Sequence, residues 1–295
     1  SRSSADTGCD PLGEAPTGDP TRDTGRVNDA AFDNPGAVAA AAARDIAGIT
    51  GAERHDVAIV LGSGWVPAAD LIGSPEAEFA STAVSGFAAP TVAGHAGTVR
   101  SVVAGDRRCL VFLGRTHFYE DRGVEPVVHP IRTAAAAGCT TVVLTNGCGS
   151  LRPEWGPGTP VLIRDHINLT GATPVRGATF IDMTDVYSAR LRAQCRQIDP
   201  TLAEGVYVQV RGPQYETPAE VRMAGIIGGD LVGMSTALEA IAAREAGLEV
   251  LGISLVTNLG AGMSGEPLHH AEVLQTGKDA AQRMGDLLAR VVAAL

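Results

Sequence analysis

The feature that most constrains the fold is an uninterrupted apolar run, Val57–Leu61, that stops at Gly62-Ser63-Gly64. A strand covered on both faces needs such a continuous run, whereas a half-exposed strand alternates. The glycines allow a sharp turn and let an anion approach backbone N–H groups, and the Ser63 hydroxyl adds a donor. Pro67 stands where a dinucleotide fingerprint would have its third glycine, and no GKT or GKS follows, which disfavours Rossmann and Walker A loops. By itself the turn is either an anion-binding loop or a plain strand-to-helix connection.

The rest of the chain alternates short apolar runs with helical patterns. Further strands are predicted at residues 99–104, 109–113, 140–144, 160–169, 206–210 and 250–257. Helices are predicted at residues 35–49, 126–137, 188–197 and 271–295. Two capping boxes, Thr217 with Glu220 and Thr236 with Glu239, mark further helix starts. This order predicts an α/β fold: a single domain with a central mixed, largely parallel twisted sheet flanked by helices.

The first residues have a different composition from the rest. Residues 1–26 are rich in Ser, Asp, Gly, Pro and Thr and carry almost no large apolar side chains, which predicts a disordered N-terminal tail. Residues 27–295 show neither an internal repeat nor a linker, so we expect them to form one domain.

Charge and cysteine content narrow the class of protein. The net charge of -10 argues against nucleic acid and anionic membranes as partners. No apolar run has the length of a membrane span, and no signal-peptide pattern is expected. The 5 cysteines make no CxxC pair, which predicts reduced thiols in a cytoplasmic protein, without a disulfide framework or a zinc site.

Polar residues collect just after the predicted strands, where open α/β sheets bind ligands. They are Ser63, Arg115, His117, Asn146, Glu216, Ser235 and Asn258. Each is also compatible with a turn or a helix cap, and Ser235 next to Thr236 is the plainest example. The set as a whole predicts a ligand site at that edge of the sheet.

The sharpest local feature is Arg115-Thr116-His117. In an extended segment residues two apart point to the same side, so a guanidinium and an imidazole would share one face. With Ser63 and a helix N-terminus nearby they would form an anion site. The alternative is a surface arginine beside a histidine satisfied in the core.

Several motifs together resemble the trimeric, low-molecular-mass purine nucleoside phosphorylases. They are GSGW at Gly62, GHAG at Gly94, GRTHFYE at Gly114, TNGCG at Thr145, GPQYET at Gly212, GMST at Gly233 and TN at Thr257. The resemblance implies cleavage of purine ribonucleosides or deoxyribonucleosides by inorganic phosphate, giving free base and (deoxy)ribose 1-phosphate in purine salvage. It also implies a homotrimer that needs no metal or organic cofactor, with phosphate as co-substrate.

The resemblance assigns roles to individual residues. The phosphate-binding positions are Ser63, Arg115, His117, Gly147, Ser235 and His95. The ribose-binding positions are Tyr119, Met234 and His270, with His269 as a competitor for the 5′-hydroxyl. The base-binding positions are Cys148, Gly149, Tyr215, Glu216 and Asn258, and the catalytic residues are His117, Glu216 and Asn258.

The residue types at the base pocket favour 6-oxopurines. A Glu216 carboxylate only accepts hydrogen bonds, so it suits the N1–H of hypoxanthine or guanine, which adenine lacks. Asn258 can bind purine N7 and O6 more strongly as the departing base becomes anionic. We therefore expect inosine and guanosine as substrates and adenosine as a poor one.

Two alternatives of the same fold are a 5′-methylthioadenosine phosphorylase and a non-catalytic nucleoside binder. Glu216, Asn258 and His270 disfavour the former, and retention of Arg115, His117 and Asn258 disfavours the latter. The segment 171–180 is shorter than the loop of vertebrate-type members, and Phe180 matches a later position in it, so no residue is assigned a cross-subunit sugar contact.

Overall fold

The apolar run at 57–61 is an interior strand of a nine-stranded sheet in the computed structural model, which describes residues 32–89, 97–265 and 267–295. The strands are β1 (Val57–Leu61), β2 (Ser74–Ala80), β3 (Thr98–Ala104), β4 (Arg107–Leu113), β5 (Thr141–Ser150), β6 (Pro160–Asn168), β7 (Ala203–Gln209), β8 (Leu231–Gly233) and β9 (Glu249–Leu259). The helices are α1 (Pro35–Thr50), α2 (Glu125–Ala136), α3 (Ala189–Ile198), α4 (Pro218–Ile226), α5 (Ala237–Glu245) and α6 (His270–Ala294). Short 3₁₀ turns occupy Val66–Leu71, Ser81–Ala83 and Phe118–Glu120.

The sheet is mixed, and it closes on itself at one end. Its order is β2-β3-β4-β1-β5-β8-β7-β6-β9, and an additional pairing joins β5 to β9. The pairs β1–β4, β1–β5, β5–β9, β6–β7 and β7–β8 are parallel, and the others are antiparallel. The strands from β5 to β9 therefore form a ring of pairings, with β1 to β4 as an open extension.

Helices cover both faces of the sheet, as the continuous apolar strands require. One core cluster joins β1, β4 and β5 to α1, α2 and α5, and a second joins the other face to α3 and α6. All five residues of β1 are buried. No helix within the described ranges is long and apolar enough to cross a membrane.

The predicted helix starts are confirmed by their caps. The Asn34 side chain accepts from the N–H of Ala37 at 3.1 Å, with Pro35 at the first position of α1. Thr217 and Glu220 form the capping box of α4. The segment at Thr236 and Glu239 caps α5 in the same way.

The structure corrects the sequence interpretation at β5 and β2, and it adds the short strand β8, which was not predicted. Strand β5 does not end at Leu144 but continues through the TNGCG motif to Ser150, because β9 pairs with it along that whole length. Strand β2 was not predicted, because it is an exposed edge strand without an apolar run that forms by antiparallel pairing with β3. The predicted tail, 1–26, and the first residues of the predicted domain lie outside the described residues.

Candidate active site

A single cavity of about 300 Å³ opens where β1, β4, β5, β8 and β9 meet the N-terminal end of α6. Thirteen predicted site residues line it: Ser63, Arg115, His117, Tyr119, Gly147, Cys148, Gly149, Tyr215, Glu216, Met234, Ser235, Asn258 and His270. The remaining prediction, His95, lies outside the described residues. These positions are far apart in sequence, so their common location supports reading them as one site.

Arg115 anchors one end of the cavity. It follows β4, and its side chain is 1% exposed. Its Nε donates to Glu239 Oε1 at 3.0 Å and its Nη1 donates to the Thr145 carbonyl at 2.7 Å. A buried guanidinium held in one plane by two fixed acceptors is a ready-made anion contact.

The Gly62-Ser63-Gly64 turn packs directly on two neighbours. The Gly62 N–H donates to Thr145 Oγ1 at 3.1 Å, and the indole Nε1 of Trp65 donates to the Asn146 carbonyl at 2.8 Å. A Cβ on Gly277 of α6 would lie 2.2 Å from the Gly64 Cα, so only glycine permits that approach. The turn that presents Ser63 is therefore fixed by β5 on one side and α6 on the other.

Ser235 is presented by a tightly bonded segment between β8 and α5. Its N–H donates to the Tyr207 hydroxyl at 3.3 Å, and its hydroxyl lies 3.1 Å from Thr236 Oγ1. Gln209 Oε1 accepts from the first two N–H groups of α5, Ala237 at 2.8 Å and Leu238 at 3.2 Å. Ser235 is thus held from its backbone as well as through its neighbour, which leaves little freedom in its position.

His117 is buried on the same wall of the cavity. Its ring stacks on Tyr119 at 4.6 Å between centroids, and its Nδ1 lies 3.5 Å from Glu120 Oε1. Burial lowers the pKa of His117, and the Arg115 charge adds to that effect while Glu120 opposes it. The imidazole is therefore neutral near pH 7 and can donate to an anion from one nitrogen only.

The other end of the cavity is lined by Tyr215 and Glu216, which precede α4, and by Asn258 of β9. These three residues are more exposed than Arg115. Burial raises the pKa of Glu216, with a smaller contribution from the negative charge of Glu220. Asn258 Oδ1 accepts from the Thr257 hydroxyl at 2.8 Å, and Nδ2 donates to the Leu259 carbonyl at 2.9 Å. A carboxylate and an oriented amide in one pocket suit a flat heterocycle with polar edges.

Met234, Tyr119 and His270 also line the cavity. Burial raises the pKa of Tyr119 to about 12, so its hydroxyl stays protonated. His270 is the first residue of α6 and lines the cavity, whereas His269 is the N-cap of α6 and does not line it; both residues are exposed. The structure thus favours His270 of the two as the cavity residue.

Sequence reasoning missed several residues of the site. Pro213, Val232, Gly233, Thr257 and Val273 also line the cavity, as does Asn146, which belongs to the predicted polar set but was given no role. The sequence analysis identified Glu239 only as part of a capping box. The signal that could have placed Glu239 near Ser235 is that this box begins at Thr236, directly after Ser235. Phe180, to which no sugar contact was assigned, is 93% exposed and does not line the cavity.

The described cysteines and acidic residues supply no metal centre. Cys109, Cys139, Cys148 and Cys195 are all buried, free thiols. Burial raises the pKa of the Cys148 thiol to about 12, so it lines the cavity as a small neutral group. Within the described ranges no group of three or more His, Cys, Asp or Glu side chains is placed to hold a metal ion.

Comparison with known proteins identifies the family of this chain. The family model of the phosphorylase superfamily matches residues 56–293. The chain is 58% identical over 270 residues to a purine nucleoside phosphorylase of Cellulomonas sp, covering 90% of this chain and 95% of the relative. It is 56% identical over 260 residues to that of Mycobacterium tuberculosis, covering 88% of this chain and 97% of the relative.

A solved structure of a purine nucleoside phosphorylase has the same fold as this chain. The isoform 2 purine nucleoside phosphorylase of Schistosoma mansoni, solved in complex with cytosine and ribose-1-phosphate, superposes with a TM-score of 0.80 at 28% identity. The match covers 88% of this chain and 96% of that one. The chain therefore belongs to the phosphorylase superfamily, as a purine nucleoside phosphorylase and hence a pentosyltransferase.

Proposed function

We propose that this enzyme cleaves the 6-oxopurine nucleosides inosine and guanosine, and their deoxy forms, with inorganic phosphate. The products are the free base and (deoxy)ribose 1-phosphate, and the reversible reaction serves purine salvage. The observation that carries the proposal is a single cavity with a buried guanidinium at one end and a carboxylate–amide pair at the other. The Schistosoma relative bound to ribose-1-phosphate supports a sugar phosphate in a site of this kind.

The phosphate is assigned to the end that contains Arg115, His117, Ser63, Ser235 and the backbone at Gly147. As the bond from C1′ to the purine nitrogen breaks, its electron pair leaves with the base and positive charge develops on the sugar ring. A phosphate oxygen held against C1′ stabilises that charge and then forms the new C–O bond. Fixing the phosphate before the reaction removes much of the entropic barrier.

The base is assigned to the end that contains Glu216 and Asn258. The Asn258 amide would hydrogen-bond purine N7 and O6, and these bonds strengthen as negative charge develops on the base. The Glu216 carboxylate would accept from N1–H. Adenine presents an unprotonated N1 and would leave the carboxylate unpaired, which is the physical basis for rejecting adenosine.

The oligomeric state, the co-substrate and the cellular location of this enzyme are inferred from its resemblance to the trimeric purine nucleoside phosphorylases. We infer a homotrimer that needs no cofactor beyond phosphate as co-substrate and that works in the cytoplasm. Four buried thiols without a disulfide are compatible with a reducing compartment.

The experiment that tests the proposal is base release from inosine with and without phosphate, repeated with adenosine. We expect phosphate-dependent release from inosine and a kcat/KM for adenosine that is lower by several orders of magnitude. Comparable turnover of adenosine would contradict the roles of Glu216 and Asn258. Preference for 5′-methylthioadenosine would favour the alternative phosphorylase, and binding without turnover would favour the nucleoside binder.

A further inference from the structure

One buried carboxylate, Glu239, bonds both to Arg115 and to Thr236, the residue next to Ser235. Glu239 lies in the first turn of α5, and its side chain is 1% exposed. Its Oε1 accepts from Arg115 Nε at 3.0 Å, and its Oε2 accepts from the Thr236 N–H at 2.8 Å. Glu239 is outside the cavity lining, so it would not touch phosphate itself.

Thr236 has a backbone conformation that a β-branched residue rarely adopts, with φ of 82°. Besides the bond to Glu239, its hydroxyl accepts from Asn146 Nδ2 at 2.9 Å and lies 3.1 Å from Ser235 Oγ. Such a conformation persists only where the surroundings impose it, and this kind of strain is common at ligand sites. The bonds around Thr236 therefore fix the direction of the neighbouring Ser235 hydroxyl.

We propose that Glu239 is a positioning residue that sets Arg115 and Ser235 relative to each other for phosphate binding. One oxygen holds the guanidinium that follows β4, and the other holds the strained residue that precedes α5. This inference rests on the phosphate role proposed above for Arg115 and Ser235. It adds a residue whose position, rather than contact with substrate, determines the geometry of the anion site.

The charge of Glu239 and its positioning role predict opposite changes in phosphate affinity when Glu239 is replaced. Glu239 places a negative charge next to the arginine that would bind a phosphate dianion, so removing that charge should strengthen phosphate binding if attraction dominated. Positioning predicts weaker binding, because Glu239→Gln offers one amide oxygen and one NH₂ group where the site needs two acceptors. The variant must lose the bond to Arg115 or the bond to Thr236. The sign of the change in phosphate affinity therefore separates the two explanations.

The test is the kinetics of Glu239→Gln with phosphate and with inosine varied separately, together with the thermal shift produced by inorganic phosphate alone. We expect kcat/KM for phosphate to fall about 10- to 100-fold, the range for one hydrogen bond between charged groups, while KM for inosine changes little. The thermal shift by phosphate should shrink in parallel. The matched control is Glu125→Gln, a buried carboxylate at the start of α2 that pairs with Arg132 and Arg176. It should leave the phosphate parameters within about twofold.

A double-mutant cycle with Arg115→Met separates positioning from a structural role. If Glu239 acts through Arg115, Glu239→Gln should cost much less in the Arg115→Met background than in the parent, by kinetics or by phosphate thermal shift. Equal losses in both backgrounds, tighter phosphate binding in Glu239→Gln, or a lower Tm with unchanged phosphate parameters would each overturn the inference. Unchanged phosphate kinetics in Arg115→Met itself would instead refute the proposed phosphate site, so the two failures are distinguishable.

Discussion

The two ends of the cavity are built differently. At the anion end, Arg115 and Ser235 are buried and each is held by side chains or backbone of other elements. At the base end, Tyr215 is 36% exposed, and the Asn258 side chain bonds to its chain neighbours Thr257 and Leu259. The first end is therefore preorganised by contacts from several elements, whereas the second is more open to solvent.

This difference has an energetic meaning. A preorganised anion end needs little rearrangement when phosphate arrives, so its electrostatic stabilisation is available at the moment of bond cleavage. In the proposed complex, the more open base end would obtain its selectivity from desolvation of Glu216, whose pKa burial already raises. Substitutions at the first end should therefore affect turnover of all nucleosides, and those at the second should affect the choice among them.

The largest effect on activity is expected at Gly62, whose backbone packs against Arg115 and Thr145. A Cβ on Gly62 would lie 2.3 Å from Arg115 Nη1 and 2.6 Å from the Thr145 carbonyl oxygen. Gly62→Ala should therefore displace Arg115 and lower kcat/KM by about 100-fold or more for every nucleoside. It should also destabilise the fold by about 1–3 kcal/mol. Steady-state kinetics with inosine and guanosine and denaturant unfolding measure the two effects.

The control for that variant is Gly48→Ala in α1, where a new Cβ meets nothing within 4 Å. It should stabilise the protein by up to about 1 kcal/mol and leave kinetics unchanged. Equal behaviour of the two variants would mean that the anion end is not rigid.

The next effect concerns base choice. Glu216→Gln should lower kcat/KM for inosine about 10- to 100-fold, because a charged hydrogen bond to N1–H is weakened. It should leave kcat/KM for adenosine equal or higher, since a glutamine NH₂ can donate to the adenine N1. The measurement is the inosine-to-adenosine ratio of kcat/KM. An unchanged ratio would place the discrimination elsewhere.

A pH profile follows from the raised pKa of Glu216. The carboxylate form accepts the N1–H bond, so activity falls as pH drops through that pKa. Because burial raises the pKa, the acid limb of kcat/KM for inosine should lie above the ordinary glutamate value of about 4.3. Glu220→Gln removes one cause of the increase and should move this limb to lower pH. A limb that is unchanged in Glu216→Gln would belong to another group.

The smallest effect is expected at the sugar. His270→Ala should raise KM for inosine about three- to tenfold, the range for one ordinary hydrogen bond to the 5′-hydroxyl. His269→Ala should change it less than about twofold, since that neighbour is the N-cap of α6 and does not line the cavity. The opposite order would exchange the roles of the two histidines.

Much of this arrangement was predictable from local sequence. The run at 57–61, Asn34 before Pro35 and the Thr217 capping box each specify an element through neighbours in sequence, and all three are confirmed. The extension of β5 through glycine-containing TNGCG was not predictable, because it depends on pairing with β9 more than a hundred residues later. The exposed strand β2 likewise forms only because β3 lies beside it.

For the site, the sequence by itself determined which chemical groups the chain carries and that they follow strands: an arginine and a histidine two residues apart, serines in tight turns, a carboxylate and an amide. Only the tertiary structure decided that thirteen of the predicted site residues line one cavity. It also decided that Glu239, a helix-capping residue in the sequence, holds Arg115 across 124 positions of chain. The reason is physical: caps and strands are specified by contacts a few residues apart, whereas a buried ion pair forms only after the sheet has brought distant segments together.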